Sequence, residues 1–259
     1  MVVLSALVWQ VAATTPCTYA SPWNRNSNEV FVNSQLDYFS TNLNCTVSAC
    51  DRFERIGAGV YTEFGVTDRI MIGGKAIYST SWMTSANAVD FATGFSEAAL
   101  FGQYQAFRSG PHAGAFKIAV ARPASFQSGA RPSLQSEGYD VEISTLYGRT
   151  LFEAPIKSFA SLDVGYRKRF SAAADQILLR GSVGIEPSDR ILFLLDTYAT
   201  VSVRNEQFSG ADYDLLKLQP SLVLRFRKSW RVQVGVTEEI TGRDIALGRT
   251  VFFSLWSTF

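Results

Sequence analysis

The chain has 259 residues, 47% of them hydrophobic and only 18% charged, with a formal net charge of +1. The charged share lies below the about 25% usual for soluble domains, and so balanced a charge offers no basic field for nucleic acid. No apolar run reaches the roughly 18 residues of a membrane-crossing helix. A membrane-spanning form would therefore be a closed barrel, the other structure that satisfies every backbone group in lipid.

The N-terminus divides from the rest. Residues 1–20 read as a leader and N-terminal segment, and 21–259 as one domain. Val2 to Val11 is a short apolar stretch, and Val11-Ala12-Ala13 is a small-residue pattern suited to cleavage after Ala13. The stretch lacks Lys or Arg near its start, and the competing reading is a buried first strand. Of the three cysteines, Cys17 follows Thr14 and Pro16, which disfavours lipidation. Cys45 and Cys50 fall between two expected strands and would close a small disulfide loop in an exported protein, or remain free thiols.

From Asn28 onward apolar and polar residues alternate, as in a strand with one apolar face. The first strand, near Glu29 to Thr41, puts Val30, Val32, Leu36 and Tyr38 on the apolar side. Phe53 to Val66 follows, with Ile56, Ala58, Val60 and Phe64, then Arg69 to Trp82, with Ile70, Ile72, Ala76 and Tyr78 opposite Lys75. Gly94 to Arg108 sets Ala98, Leu100 and Tyr104 against Glu97, Gln103 and Gln105, and Ala113 to Arg122 sets Phe116, Ile118 and Val120 against Lys117. Gly138 to Leu151 pairs Tyr139, Val141, Ile143 and Tyr147 with inward Glu142. Ser158 to Phe170 has Leu162, Val164 and Tyr166 outward, with Asp163 and Arg167 inward.

Gln176 to Glu186 continues with Ile177, Leu179, Val183 and Ile185 outward and Arg180 inward. Arg190 to Arg204 carries Phe193, Leu195 and Val201 against Asp196, and Leu215 to Arg227 carries Leu218, Leu222 and Leu224 against Arg225. Trp230 to Thr241 sets Val232, Val234 and Val236 against Arg231. With the terminal strand the count is about twelve, even as bacterial single-chain barrels require. The polar parity reads as small or charged throughout, and longer polar links, Met83 to Thr93 among them, alternate with tight turns.

The last residues, Val251 to Phe259 (VFFSLWSTF), form an alternating strand that stops on an aromatic. This strand resembles the C-terminal strand of Gram-negative outer-membrane β-barrel proteins. The segment Tyr61-Thr62-Glu63-Phe64-Gly65-Val66-Thr67-Asp68-Arg69-Ile70 resembles a hairpin that recurs in porin-like members. The resemblance implies an antiparallel up-and-down transmembrane barrel in the bacterial outer membrane, with short periplasmic turns and longer surface loops. It also implies outer-membrane lipids as surroundings and an assembly machinery that reads Phe259. A soluble β-barrel or sandwich is the competing fold.

The chemistry is sparse. The single histidine, His112, falls in an expected periplasmic turn beside Pro111, where a hydrolase would have no use for it. No His cluster or Cys pair has metal-ligand spacing, and no glycine motif would cradle a phosphate, so neither catalytic residues nor a cofactor are expected. What remains is a lumen lined by Lys75, Glu97, Lys117, Glu142, Asp163, Arg167, Arg180, Asp196, Arg225 and Arg231. These charges suit a narrow pore for small polar solutes by diffusion, or a plug in which they pair and fill the interior. A non-conducting structural or adhesive barrel acting through its loops is the alternative.

Overall fold

A computed structural model describes residues 21–43, 51–85, 88–122, 138–171, 173–203 and 212–259. The expected leader, Cys17, and the Cys45 and Cys50 pair lie outside these residues. The strands are β1 (Val30–Leu43), β2 (Asp51–Gly65), β3 (Ile70–Ser85), β4 (Ala88–Ser109), β5 (His112–Arg122) and β6 (Asp140–Phe152). They continue as β7 (Lys157–Arg169), β8 (Gln176–Ser188), β9 (Ile191–Ser202), β10 (Asp214–Arg227), β11 (Trp230–Arg243) and β12 (Gly248–Thr258). Each pairs antiparallel with its sequence neighbours, and β1 pairs with β12, so the sheet closes into an up-and-down barrel without an edge. Val30 and Phe259 exchange backbone hydrogen bonds of 3.0 and 2.9 Å at the seam.

The side-chain alternation decides which face meets which solvent. Leu36, Ile56, Leu100, Ile118, Ile143 and Leu195, spread round the wall, all point outward and are exposed, while their neighbours in sequence are covered. A continuous apolar belt of this extent is far larger than the patches soluble proteins leave in water. In lipid it costs nothing, and closure removes the unpaired sheet edge that a membrane would not tolerate. The chain is therefore a membrane-spanning barrel of the outer-membrane type. Outward aromatics gather towards the strand ends, with Tyr139 stacked on Phe170 at one rim and Trp230 edge-on to Phe259 at the other, as interfacial girdles do.

Two expectations fail. Met83 to Thr93 is not a long surface link: β3 and β4 run on as one hairpin, and only residues 86–87 separate them. Thr80 and Thr93 hydroxyls bond across this extension at 2.9 Å, and Trp82 lies opposite Phe91. The polar-looking stretch is thus rich in residues that pair well across strands.

The inward parity is also not small or charged throughout. Phe31, Tyr61, Leu192, Leu194, Val223 and Trp256 are buried together inside the barrel, with Phe101 and Phe159 against them. Facing glycines make room. A Cβ on Gly73 would lie 2.3 Å from the Phe101 ring, and one on Gly184 would lie 2.2 Å from that of Phe159. Both pairs stand directly opposite in the register. Lipid requires apolar residues outside but does not forbid them inside, so a ring seated on a glycine fills the lumen wherever it is not meant to conduct.

Candidate functional site: the barrel lumen

The lumen is layered. Near the β12–β1 seam and β9–β10, at the end that carries the tight turns, the apolar cluster around Val223 and Trp256 fills the interior. Towards the loop end the filling gives way to a water-accessible cavity of about 120 Å³. Tyr61 and Phe101, stacked with ring centres 5.6 Å apart, form its floor with Gln103.

Ion pairs ring the cavity. Lys75 on β3 meets Glu97 on β4 at 2.7 Å. Across from them Glu142 on β6 accepts from Arg167 on β7 at 3.1 Å and from Arg180 on β8 at 2.6 Å. Asp163 on β7 stands behind this wall and accepts from Lys117 at 2.8 Å and Arg180 at 2.9 Å. These groups come from strands β3 to β8, and the register alone brings them to one height. Glu142 lies opposite Arg167 and Asp163 opposite Arg180. Each charge is taken out of bulk water and partnered, as buried charges must be.

Of the ten charges expected to line a pore, Lys75, Glu97, Lys117, Glu142, Arg167 and Arg180 face this cavity. Asp163 supports them from behind. The other three lie elsewhere. Asp196 is buried, bonded to the Ser182 hydroxyl and at 3.3 Å to Gln219 Nε2. Arg225 sits by the turn-end rim, where it pairs with Glu186 at 2.7 Å and donates to the Asp189 carbonyl at 3.3 Å. Arg231 stands opposite Arg225 and Trp256 in the register, away from the cavity.

Further residues line the cavity beside the expected charges, among them Asp140, Tyr213, Lys217 and Tyr198. Asp140 falls on the inward parity of the expected Gly138 to Leu151 strand, and Tyr213 just before the expected start at Leu215, both at the loop end. Lys217, which meets Glu239 at 2.8 Å, and Tyr198 were on inward parities and legible as such. Glu239 shares the inward parity of Arg231 and Gln233, and the regular β10–β11 register sets it opposite Lys217, before the shift between Lys217 and Leu216.

The N-terminal segment is the largest addition. Residues 21–28, before β1, are not part of the wall but fold back into the turn-end mouth. Gln103 Nε2 donates to the Ser21 carbonyl at 3.1 Å and to Asn24 Oδ1 at 2.9 Å. Gln105 Nε2 donates to the Pro22 carbonyl at 2.6 Å, and its Oε1 accepts from the Asn24 amide at 3.0 Å. Trp23 packs edge-on to Phe159. Arg25 Nε meets Glu63 at 2.5 Å, and its guanidinium lies 4.2 Å over the Phe31 ring. Glu63 also accepts from the Tyr61 hydroxyl at 2.7 Å, which ties the segment to the cavity floor.

His112 lies where its sequence suggested, at the turn-end rim, its Nδ1 2.6 Å from the Tyr147 hydroxyl. Among the described residues no group of three His, Cys, Asp or Glu is placed to hold a metal ion, and no helix is long and apolar enough to cross a membrane.

No protein-family description matches the chain, and no characterised protein is similar to it in sequence. Solved structures are similar in fold. An outer membrane channel from Pseudomonas putida F1 superposes with a TM-score of 0.73 at 8% identity, over 93% of this chain and 99% of that one. The NanC porin gives 0.55 at 5% identity, over 86% and 98%. The translocator domain of the autotransporter NalP from Neisseria meningitidis also gives 0.55, at 8% identity, over 92% and 91%. A channel, a porin and a translocator thus share this architecture, and the likeness establishes an outer-membrane β-barrel fold.

Proposed function

We propose that the protein is an outer-membrane channel of narrow bore that passes small polar solutes by diffusion. The observation that carries this reading is the ring of opposed charges around the loop-end cavity. Lys75 and Glu97 occupy one side, and Arg167, Arg180 and Glu142 the other. A purely structural barrel has no need to hold water among ionic groups, whereas a solute shedding part of its hydration needs polar partners of both signs. The neighbouring channel and porin folds support the same reading. Transport rather than catalysis fits a lumen whose charges are mutually paired and whose histidine is tied to Tyr147 at the rim. Phe259, at the closing seam, is the group an assembly machinery would read, and outer-membrane lipids are the medium the apolar belt fits.

The test is liposome swelling with a size series of neutral and charged solutes. Swelling should occur for the smallest polar solutes and fall off steeply with size. Swelling that ignores solute size, or none for any solute whether or not residues 21–28 are present, argues against this reading.

A second reading has its own observation. The apolar cluster around Val223 and Trp256 fills much of the turn-end half. That filling suits a structural or adhesive barrel acting through its surface loops.

A further inference from the structure

We infer that residues 21–28 form a removable septum that separates the loop-end cavity from the turn-end mouth, so that the chain closes its own channel. This rests on the channel reading above. The septum is thin and its two sides are distinct. Above it, Gln103 lines the charged cavity. Below it, Asn24, Arg25 and Asn26 line a separate pocket of about 410 Å³ with Asp68, Arg69 and Gln105. Gln103 and Gln105 are successive inward residues of β4, and both hold the segment. The two spaces therefore lie on either side of one extended strip of chain along the β4 wall.

The strip is seated rather than woven in. Apart from the backbone bond of Asn28 to Gly65 at its base, its grip consists of side-chain contacts from the wall to its backbone and polar groups. Asn24 is buried, yet its Nδ2 has no hydrogen-bond partner, an unfavourable group that leaving the seat would relieve. The strip's ionic ties are those of Arg25, to Glu63 on β2 and at 3.8 Å to Glu29 at its own base, and the arginine is partly exposed.

A hinge stands where the strip joins the wall. Asn28 has φ of 65°, the left-handed conformation that reverses the chain into β1, and its amide bonds the Gly65 carbonyl at 2.7 Å. A Cβ on Gly65 would come 2.0 Å from the Asn26 carbonyl, so only glycine lets the chain turn inward there. Below the hinge β1 is paired on both sides, whereas residues 21–27 make no ladder pair with the wall.

The wall is shaped for the strip. A Cβ on Gly148 would lie 2.5 Å from both Pro22 Cγ and Trp23 Cη2. Pro22 is among the fully buried residues. The wall thus offers a glycine hollow at the point where the strip presents its bulkiest pair.

The test compares the refolded chain with a variant lacking residues 21–28 and with the Gln103→Ala/Gln105→Ala double variant. Each is measured by single-channel recording and by amide hydrogen exchange. Heat-modifiable gel mobility verifies that each barrel has folded. The expected result is a severalfold higher conductance for the deletion. The double variant should show frequent transitions to that level and should lose exchange protection at the Asn24 amide, which Gln105 holds in the parent. Unchanged conductance in a conducting deletion variant overturns the septum and leaves the channel reading intact. An unprotected Asn24 amide in the parent chain overturns it too, because the strip is then not seated. If parent and deletion are both silent although folded, the channel reading falls, and the septum falls with it as a gate.

Discussion

Asp163 on β7 and Arg180 on β8 stand directly opposite each other in the register and meet inside the lumen at 2.9 Å, with the aspartate wholly withdrawn from solvent. Lys117, two strands away, shares the same carboxylate at 2.8 Å. One acid thus neutralises two cations in the middle of the barrel.

Removing that acid should be costly. Asp163→Asn takes from Lys117 the anion it touches and leaves Arg180 with Glu142 alone. The expected loss is at the lower end of the about 3–5 kcal/mol seen when one partner of a buried pair is removed. Glu238→Gln breaks the pair with Arg249 on the exposed loop end, where the arginine is 65% and the glutamate 35% exposed, and should cost about 0–1 kcal/mol. Urea refolding titrations in lipid vesicles read both. Equal costs would mean that the inner ion pairs are solvated like surface ones.

The facing of the wall predicts a second contrast. Val234 points into lipid, and Val234→Arg there should cost about 2–4 kcal/mol. Ala119→Arg enters the cavity opposite Glu142 in the register and should cost far less in the same titration. Alternation alone would suggest Gln233→Arg as the inexpensive partner of Val234→Arg. The structure corrects this: Gln233 is buried, with its Nε2 2.8 Å from Ser221 Oγ, and overpacking there should cost about 1–3 kcal/mol.

Gly148 gives a third prediction. Gly148→Leu places a side chain where Pro22 and Trp23 lie, without touching the charged ring. It should unseat the N-terminal strip and raise conductance as the deletion of residues 21–28 does. Quenching of Trp23 fluorescence by aqueous iodide should rise in parallel. A variant that folds with Trp23 still shielded would show that the hollow is not what holds the strip.

The loop between β7 and β8 carries a pH dependence. Burial pushes the Asp175 carboxyl up, but hydrogen bonds from the Tyr166 hydroxyl, the Arg169 amide and the Lys168 ammonium outweigh it and hold the group below its usual range. A depressed folded value means the contribution is fully present above the unfolded value of about 3.9 and is lost as pH falls through the folded one. Protection of the Arg169 amide against exchange, corrected for the intrinsic rate, should hold steady from neutrality down to about pH 4 and drop below it. Asp175→Asn should abolish the step. A step that survives the substitution would assign it to another group.

Much of the wall was legible in the sequence, and the reason is physical. Lipid demands apolar side chains at every second position, so Ile143, Leu162 and Val234 announce their facing locally, and inward Glu142, Asp163 and Arg180 follow by parity. The filling of the lumen was not legible, because it depends on which residues stand opposite each other. Phe101 and Phe159 contradict an inward parity read as small or charged, and only their cross-strand pairing with Gly73 and Gly184 accounts for them. The long β3–β4 hairpin was hidden by its polar composition. The inward course of residues 21–28 has no periodic signature, since contacts with Gln103, Gln105 and Glu63 are specific rather than repeating.

The central claim is conduction through the charged lumen, and single-channel recording of the refolded chain in a planar bilayer tests it most directly. The account predicts small, discrete, salt-dependent steps whose ion selectivity shifts when Glu142 or Lys75 is neutralised. A chain that folds and inserts, with or without residues 21–28, yet never conducts would contradict it.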